Sequence, residues 1–353
     1  MDVQAAAYQI IAAETPMGSG GGQGIRRYMV YDTHGAIVQL PPIPGNLVND
    51  PAGLALRNET ELFVSNRAAH SGNSSITRFD LLGSQFAYRD TVTGNYVTDC
   101  HQAAFDSVTG ELFQTNWATG ILSRFLCDDD GNVVANGYVA MPDGDRMLGV
   151  AIRPLTQQLF VSDYNYVRQF NRNPEGTYTH IGNPIQQPNS LLHFMKFHKD
   201  ELYLASFSMN SVLRYTFDAE GVPVWKESIS APGAVDMAFS PDGQEMFVTD
   251  HRNGGINRYR YDEDNDTWVQ FGDMLPTPML GGIVITSTVC PLRADLTGDC
   301  IVDYADLAEF VGQWLLSVDP YYCTLSADLE GEECVVQLED FASFAAQWMA
   351  SVP

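Results

Sequence analysis

The chain has 353 residues, enough for one large domain or two unequal ones, and its 45% hydrophobic content suffices for a sizeable core. It carries 44 acidic against 19 basic residues, a net charge of −25, and its only lysines are Lys196, Lys199 and Lys226. That balance repels phosphate backbones and anionic lipid, so nucleic acid is excluded as an expected partner, and no apolar run approaches the length of a membrane span.

In chain order, residues 1–13, "MDVQAAAYQIIAA", lack a basic start and a long apolar stretch and make a poor signal peptide. Either an export signal has been removed or the protein stays inside; the scarcity of lysine and the acidic loops near the C-terminus favour a secreted protein. "YQIIAAE", "GIRRYMV" and "GAIVQLP" then read as three strands. Next comes a repeat. An apolar hexapeptide recurs as "ELFVSN" at 61, "ELFQTN" at 111, "QLFVSD" at 158, "ELYLAS" at 201 and "EMFVTD" at 245, at intervals of 50, 47, 43 and 44 residues. A short apolar run precedes each copy ("GLAL", "QAAF", "GVAI", "FMKF", "DMAF"), and an alternating strand follows it ("SITRFD", "GILSRF", "YVRQFN", "SVLRYT", "GINRYR"). A more variable fourth strand completes the unit.

Four short strands per unit, separated by Gly, Asn and Asp turns, predict a propeller blade. One blade cannot bury both faces of its sheet, so blades must stack around an axis. Residues 281–288, "GGIVITST", read as an inner strand with no successors, and the three N-terminal strands lack an inner one. Pairing them predicts an all-β six-bladed propeller over residues 1–289, closed by joining its N- and C-terminal strands, which removes exposed edges. The Gly-His and Trp-Asp signals of WD repeats are missing. "GLAL"- and "GVAI"-type inner strands followed by "ELFVSN"-type strands, and above all "AFSPDGQEMFVTD" (238–250), resemble the NHL-repeat and SMP-30/gluconolactonase-like propellers. The resemblance spans nearly all of residues 1–289 and implies fold rather than chemistry. The lactonases of that group hold a divalent metal with Glu, Asn and Asp at the starts of inner strands. The matching positions here are Ala52, Leu148, Val235, Gly281 and two histidines, so that activity is not carried over. Some propeller lyases place histidines there, and "CHQAAF" and "LLHFMKF" are similar to that arrangement.

A propeller usually binds its ligand in the axial funnel. Alignment of the inner strands brings Ala52-Gly53, His101-Gln102, Leu148-Gly149, His193-Phe194, Val235-Asp236 and Gly281-Gly282 to its mouth. A second set, Asn66, Asn116, Asp163, Ser206 and Asp250, ends the second strands. His101, His193 and Asp236, with Asp250 and His251, are the candidates for acid–base work or for a divalent metal; the other reading is a wet channel lined by polar groups. Two roles stay open: a binding module for a glycan or glycan-derived ligand, or a hydrolase or lyase on polysaccharide-derived or lactone-type substrates with a metal held by His101 and His193. Arg27, Arg78, Arg124, Arg214 and Arg258 each precede an aromatic residue in a third strand and read as repeat packing. Cys100 starts an inner strand and Cys127 ends a third strand at the opposite face, too far apart for a disulfide.

Residues 290–353 hold twelve acidic residues and one basic, Arg293, which with "CPLRADL" marks a boundary near 290. In "DLTGDCIVDYAD", Asp295, Thr297, Asp299, the Ile301 carbonyl, Asp303 and Asp306 have the 1, 3, 5, 7, 9, 12 spacing of an EF-hand-type calcium loop. The following "DLAEFVGQWLLS" is an amphipathic helix, and the unit repeats as "ADLEGEECVVQLEDFASFAAQWMAS". The second loop, one residue longer, offers Asp328, Glu330, Glu332, the Val335 carbonyl, Gln337 and Asp340 and is expected to bind calcium weakly if at all. Cys290 and Cys300 precede and enter the first loop, and Cys323 and Cys334 do the same in the second. That repeated placement suggests disulfides Cys290–Cys300 and Cys323–Cys334 in an oxidising compartment; zinc is the rival, against which stand the absence of histidine beyond residue 251 and of paired CxxC spacing. The duplicated loop–helix unit resembles a type I dockerin, a small all-α domain folded on calcium. The resemblance implies a cohesin-like partner, while Tyr304-Ala305 and Leu338-Glu339 depart from the small hydroxyl residues usual at loop positions 10 and 11. A monomer is expected.

Overall fold

The computed structural model describes residues 8–15, 24–30, 37–43, 45–67, 74–82, 85–117, 119–128, 131–142, 146–272, 274–277, 279–287, 294, 296, 302–315, 327, 329 and 335–349. Among them, 24 strands form six antiparallel four-stranded sheets. Blade 1 joins Leu280–Thr286 to Tyr8–Glu14, Ile25–Val30 and Ile37–Ile43, with Ile10 opposite Ile285 and Ile11 opposite Val284. The remaining blades each use consecutive strands. Their first strands are Pro51–Arg57, Cys100–Asp106, Gly149–Ile152, Leu192–His198 and Ala234–Phe239 in blades 2 to 6. Their second strands are Glu61–Asn66, Glu111–Asn116, Leu159–Ser162, Glu201–Ser206 and Glu245–Asp250.

The second strands are buried on both sides, as in "ELFVSN" and "ELFQTN", because each is sandwiched between neighbouring blades. Outer strands such as Val133–Ala140 are largely exposed. Six apolar clusters fill the six clefts. Leu54, Leu62 and Phe79 of blade 2 meet Ile11 and Ile25 of blade 1, and Phe63 and Ile76 meet Leu112 and Phe125 of blade 3. Corresponding clusters join blades 3 and 4, 4 and 5, and 5 and 6, and the last, with Phe247 against Ile10 and Tyr28, returns from blade 6 to blade 1. Full burial of each such side chain contributes about 1.5–3 kcal/mol, so the clefts carry the stability of the ring.

The third-strand arginines are repeat packing. Arg78 pairs with Glu61 of its own blade and donates to the Gly131 carbonyl of blade 3; Arg124 pairs with Glu111 and donates to the Gly176 carbonyl, 2.8 Å away, in blade 4. Arg214 pairs with Glu201 and reaches the Asp266 carbonyl of blade 6 at 2.8 Å. Blade 4 has Gln169 in that place, and its amide reaches the Gly221 carbonyl of blade 5 at 3.0 Å. In blades 2, 3 and 5 a cation above an internal carboxylate thus ties one hairpin to the next, with its charge neutralised where it is buried. Cys100 and Cys127 are free and buried.

Beyond the propeller lie two short helices, α1 (Tyr304–Gln313) and α2 (Leu338–Ala346). The duplicated sequence yields reciprocal contacts. Leu315 N–H donates to the Val336 carbonyl at 2.9 Å, and Met349 N–H to the Val302 carbonyl at 2.8 Å. Gln313 accepts from Ala327 N–H, and Gln347 from Ala294 N–H. Phe310 and Phe344 meet between the helices, 5.1 Å apart, in a core with Leu296, Val302, Leu329 and Val336. Each copy therefore completes the other. Asp295, Thr297, Asp299, Ile301, Asp328, Glu330, Glu332 and cysteines Cys290, Cys300, Cys323 and Cys334 lie outside the described residues.

Candidate functional site

One local device, repeated around the ring, builds the end of the propeller where first strands begin. The residue before a first strand takes a left-handed backbone (Asp50 φ 52°, Asp99 φ 48°, Leu191 φ 46°, Gly233 φ 58°). Its carbonyl accepts from the residue that follows the second strand: Arg67 at 3.0 Å, Trp117 at 3.0 Å, Phe207 at 3.2 Å and His251 at 3.0 Å. A break in register then follows within blades 2, 3, 5 and 6, at Pro51/Gly53, Cys100/Ala103, Leu192/Met195 and Ala234/Met237. Such bulges re-aim side chains, and they fall where His101, His193 and Asp236 sit.

The inner strands approach so closely that glycine is required beside the histidines. A Cβ on Gly53 would lie 2.1 Å from the His101 carbonyl oxygen, and one on Gly149 2.4 Å from that of His193. Ser162 spans the same joint, accepting from Gly149 N–H at 2.9 Å and donating to the His193 carbonyl at 2.5 Å. Thr115 and Thr249 make the matching bonds to the carbonyls of Leu148 and Gly281, both at 2.9 Å.

The mouth is aromatic and imidazole-rich. His101 stacks on Trp117 (5.0 Å, 17°), and Trp117 meets the edge of Tyr164 at 5.1 Å. Phe207 lies 6.1 Å from His193 and 6.3 Å from His251. The Arg146 guanidinium lies over Trp117 at 5.3 Å, and that of Arg252 over Phe207 at 5.0 Å. Arg67 forks onto Asp50, at 3.1 and 3.3 Å.

All three imidazoles are held uncharged. Burial pushes His101 well below the ordinary histidine value, and the Arg67 and His193 charges add to the effect. Burial, then His251 and Arg67, bring His193 down to about 3. His251 is lowered mainly by burial, against the opposing pull of the Leu280 carbonyl. That carbonyl, 3.1 Å from His251 Nδ1, can only accept, so Nδ1 carries the hydrogen and Nε2 keeps a lone pair. His193 Nδ1 is buried without a hydrogen-bond partner among the described residues.

Asp236 belongs to the axis. It is fully buried, accepting from Ile283 N–H and Met237 N–H, both at 2.9 Å, with Lys196 Nζ 3.7 Å away. Burial raises its carboxyl to about 6, although Lys196 and the two N–H groups pull it down. Gln102 is the second axial group. Its oxygen accepts from Val150 N–H at 2.8 Å, and its amide donates to the Met195 carbonyl at 3.2 Å, so one side chain of blade 3 holds blades 4 and 5. The structure thus brings His101 and His193 together with His251 and Arg67, and sets Asp236 with Lys196.

The second set read from the sequence is committed elsewhere. Asn66 accepts from Asn49 N–H and donates to Thr77, Asn116 accepts from Thr98 N–H and donates to Ser123, and Asp163 pairs with Arg168. Ser206 donates to the Ser190 carbonyl, and Asp250 accepts from the N–H groups of Arg252 and Asn253. The place at the mouth passes one residue along, to the half-buried Arg67, Trp117, Tyr164, Phe207 and His251. Among the described residues, no three His, Cys, Asp or Glu side chains converge as a metal site.

No family model matches the chain, and no curated protein is matched by its sequence. Solved structures are. The periplasmic gluconolactonase of Pseudomonas aeruginosa is 14% identical with a TM-score of 0.58, over 79% of this chain and 99% of that one. A candidate 6-phosphogluconolactonase of Bacteroides uniformis is 18% identical with a TM-score of 0.57, over 77% of this chain and 83% of the other. A chain of the nidogen/laminin complex is 14% identical with a TM-score of 0.59, over 80% of this chain and all of that one. At these identities the likeness establishes the propeller fold alone.

Proposed function

We propose that the propeller is a secreted binding module that takes a glycan or glycan-derived ligand at the mouth formed by His101, His193, His251, Trp117, Tyr164 and Phe207. The observation that carries this is the aromatic–imidazole wall: flat apolar faces for the C–H faces of a sugar ring, with uncharged ring nitrogens for its hydroxyls. The test is calorimetric titration of glycans found on an array. Trp117→Ala should weaken binding about tenfold, the loss of one aromatic contact of about 1.4 kcal/mol, with the fold retained. Unchanged affinity in that variant would sink the assignment.

A hydrolase or lyase is the second reading, favoured by His251, whose bare Nε2 is suited to act as a general base at neutral pH. It draws support from the gluconolactonase among the solved structures of this fold. The expected divalent metal at His101 and His193 belongs to this reading; both are neutral imidazoles, the form that ligates metal. Turnover of lactone or polysaccharide fragments, abolished in His251→Gln, would decide for it.

The tail is proposed as a dockerin-like calcium domain that docks the propeller to a cohesin-like partner within an extracellular assembly. Asp303 and Asp306 would serve the first ion, and Asp340 with the Val335 carbonyl a weaker second one. These are hard oxygen donors, suited to calcium. Asp306 and Asp340 are fully buried at matching places, each accepting a backbone N–H at 2.8 Å at the start of its helix. Calcium should raise the helical circular dichroism of residues 290–353; a spectrum indifferent to chelator would defeat this reading.

A further inference from the structure

The charge at the mouth is unlike that of the chain. In a protein of net charge −25 with 16 arginines, three of them, Arg67, Arg146 and Arg252, stand at this one rim. Their roles differ. Arg67 is held by Asp50, and Asp99 stands near both of them. Arg146 covers the aromatic pair on the far side, Trp117 and Tyr164. Arg252 is exposed, and its guanidinium makes no ion pair or hydrogen bond among the described residues. The neighbouring carboxylate, Asp250, is occupied by the backbone N–H groups of Arg252 and Asn253 and by the Asn253 amide at 2.8 Å.

A guanidinium lying on an aromatic ring keeps its in-plane N–H edge for a planar oxyanion, which it grips with two parallel hydrogen bonds. Phe207 supplies that shelf, and His193, whose Nδ1 is buried and unpartnered, borders the same ring. A cationic fork and an orphaned imidazole nitrogen therefore flank one face of the mouth, on the side away from Asp50 and Asp99.

Building on the carbohydrate reading above, we infer that the ligand is an oxyanion-bearing sugar whose charged group seats beside Phe207, between Arg252 and His193. A carboxylate and a phosphate share the chemistry that this arrangement recognises. Neutral sugars would leave the Arg252 fork without an oxyanion and lose the charge-assisted bonds.

The test titrates the full chain with glucose, cellobiose, glucuronate, galacturonate and glucose 6-phosphate. An acidic member should bind at least about tenfold more tightly than its neutral counterpart, the difference expected of one charge-assisted pair. Arg252→Gln should abolish that preference while sparing neutral binding, and about 0.5 M salt should shrink it. The side chain is exposed, so the variant should fold, and its thermal midpoint checks this. Preference for the uronates assigns a carboxylate; preference for glucose 6-phosphate assigns a phosphate. Equal binding of neutral and acidic sugars, or an Arg252→Gln loss common to both, overturns the inference and leaves the carbohydrate reading standing. Binding of no member refutes both.

Discussion

Three uncharged imidazoles at one mouth make the stability of this protein depend on pH, in a direction that their surroundings fix. The folded-state value of each is depressed, that of His193 from 6.5 to about 3, so in that interval the unfolded chain binds protons that the folded one refuses. Stability from these groups is whole above pH 6.5 and is lost as pH falls toward 3. Asp236 acts in the opposite sense. Its folded value is raised from 3.8 to about 6, so what it contributes is whole below 3.8 and is lost as pH rises through 6. A tenfold change in proton affinity is worth about 1.4 kcal/mol, which puts the Asp236 effect on the order of 3 kcal/mol. With four depressed histidines, His198 among them at about 4, against two raised aspartates, Asp99 and Asp236, urea unfolding should show stability rising between about pH 4 and pH 6.5, and His193→Gln should flatten that slope. A profile unchanged by the substitution would show that His193 is not held neutral. The histidines at the strand starts were legible from alignment alone. Arg67, Trp117, Tyr164 and Phe207 were not, because the polar residue before each looks functional in sequence. A left-handed residue 16 or 17 positions upstream, Asp50 or Asp99, which no composition reveals, turns that polar residue inward as an acceptor at Asn66 and Asn116.

Among the elements, the first strands have the least freedom. They pass so near the axis that Gly53 and Gly149 face neighbouring carbonyls, and Gln102 satisfies main-chain groups of two further blades. Gln102→Leu would leave Val150 N–H and the Met195 carbonyl buried without partners, each costing about 1–3 kcal/mol. A loss of roughly 2–6 kcal/mol in chemical unfolding is therefore expected; a change below about 0.5 kcal/mol would show that water substitutes for the amide. The sequence pattern disclosed the blades because each strand type repeats its own rhythm: burial continuous in "ELFVSN", mostly buried and opening toward the end in third strands such as Tyr166–Arg172 and Ser211–Phe217, loose in the fourth. What the pattern hides is any group whose partners lie two blades away. Gln102 and Asp236 align with Gly53, Gly149 and Gly282 and read as mouth residues until their contacts are seen.

For the whole molecule, the sheet that pairs Leu280–Thr286 with Tyr8–Glu14 makes the propeller a ring rather than an open stack. Ending the chain after residue 289 preserves that pairing, and the propeller should keep a cooperative thermal transition. Ending it after residue 279 uncovers Ile10, Ile11 and Ala12, all buried in the intact ring, and should broaden the transition or cause aggregation. Identical melts for the two truncations would show that the ring does not depend on this strand. The same pairing also sets a timetable. Synthesis delivers Tyr8–Glu14 more than 260 residues ahead of its partner, on the order of tens of seconds earlier at usual elongation rates. Throughout that interval the nascent chain carries an apolar strand paired on one side only, with Ile25–Val30, while five complete blades assemble downstream. The first blade to emerge is the last to be finished, and it is where a chaperone would find its substrate.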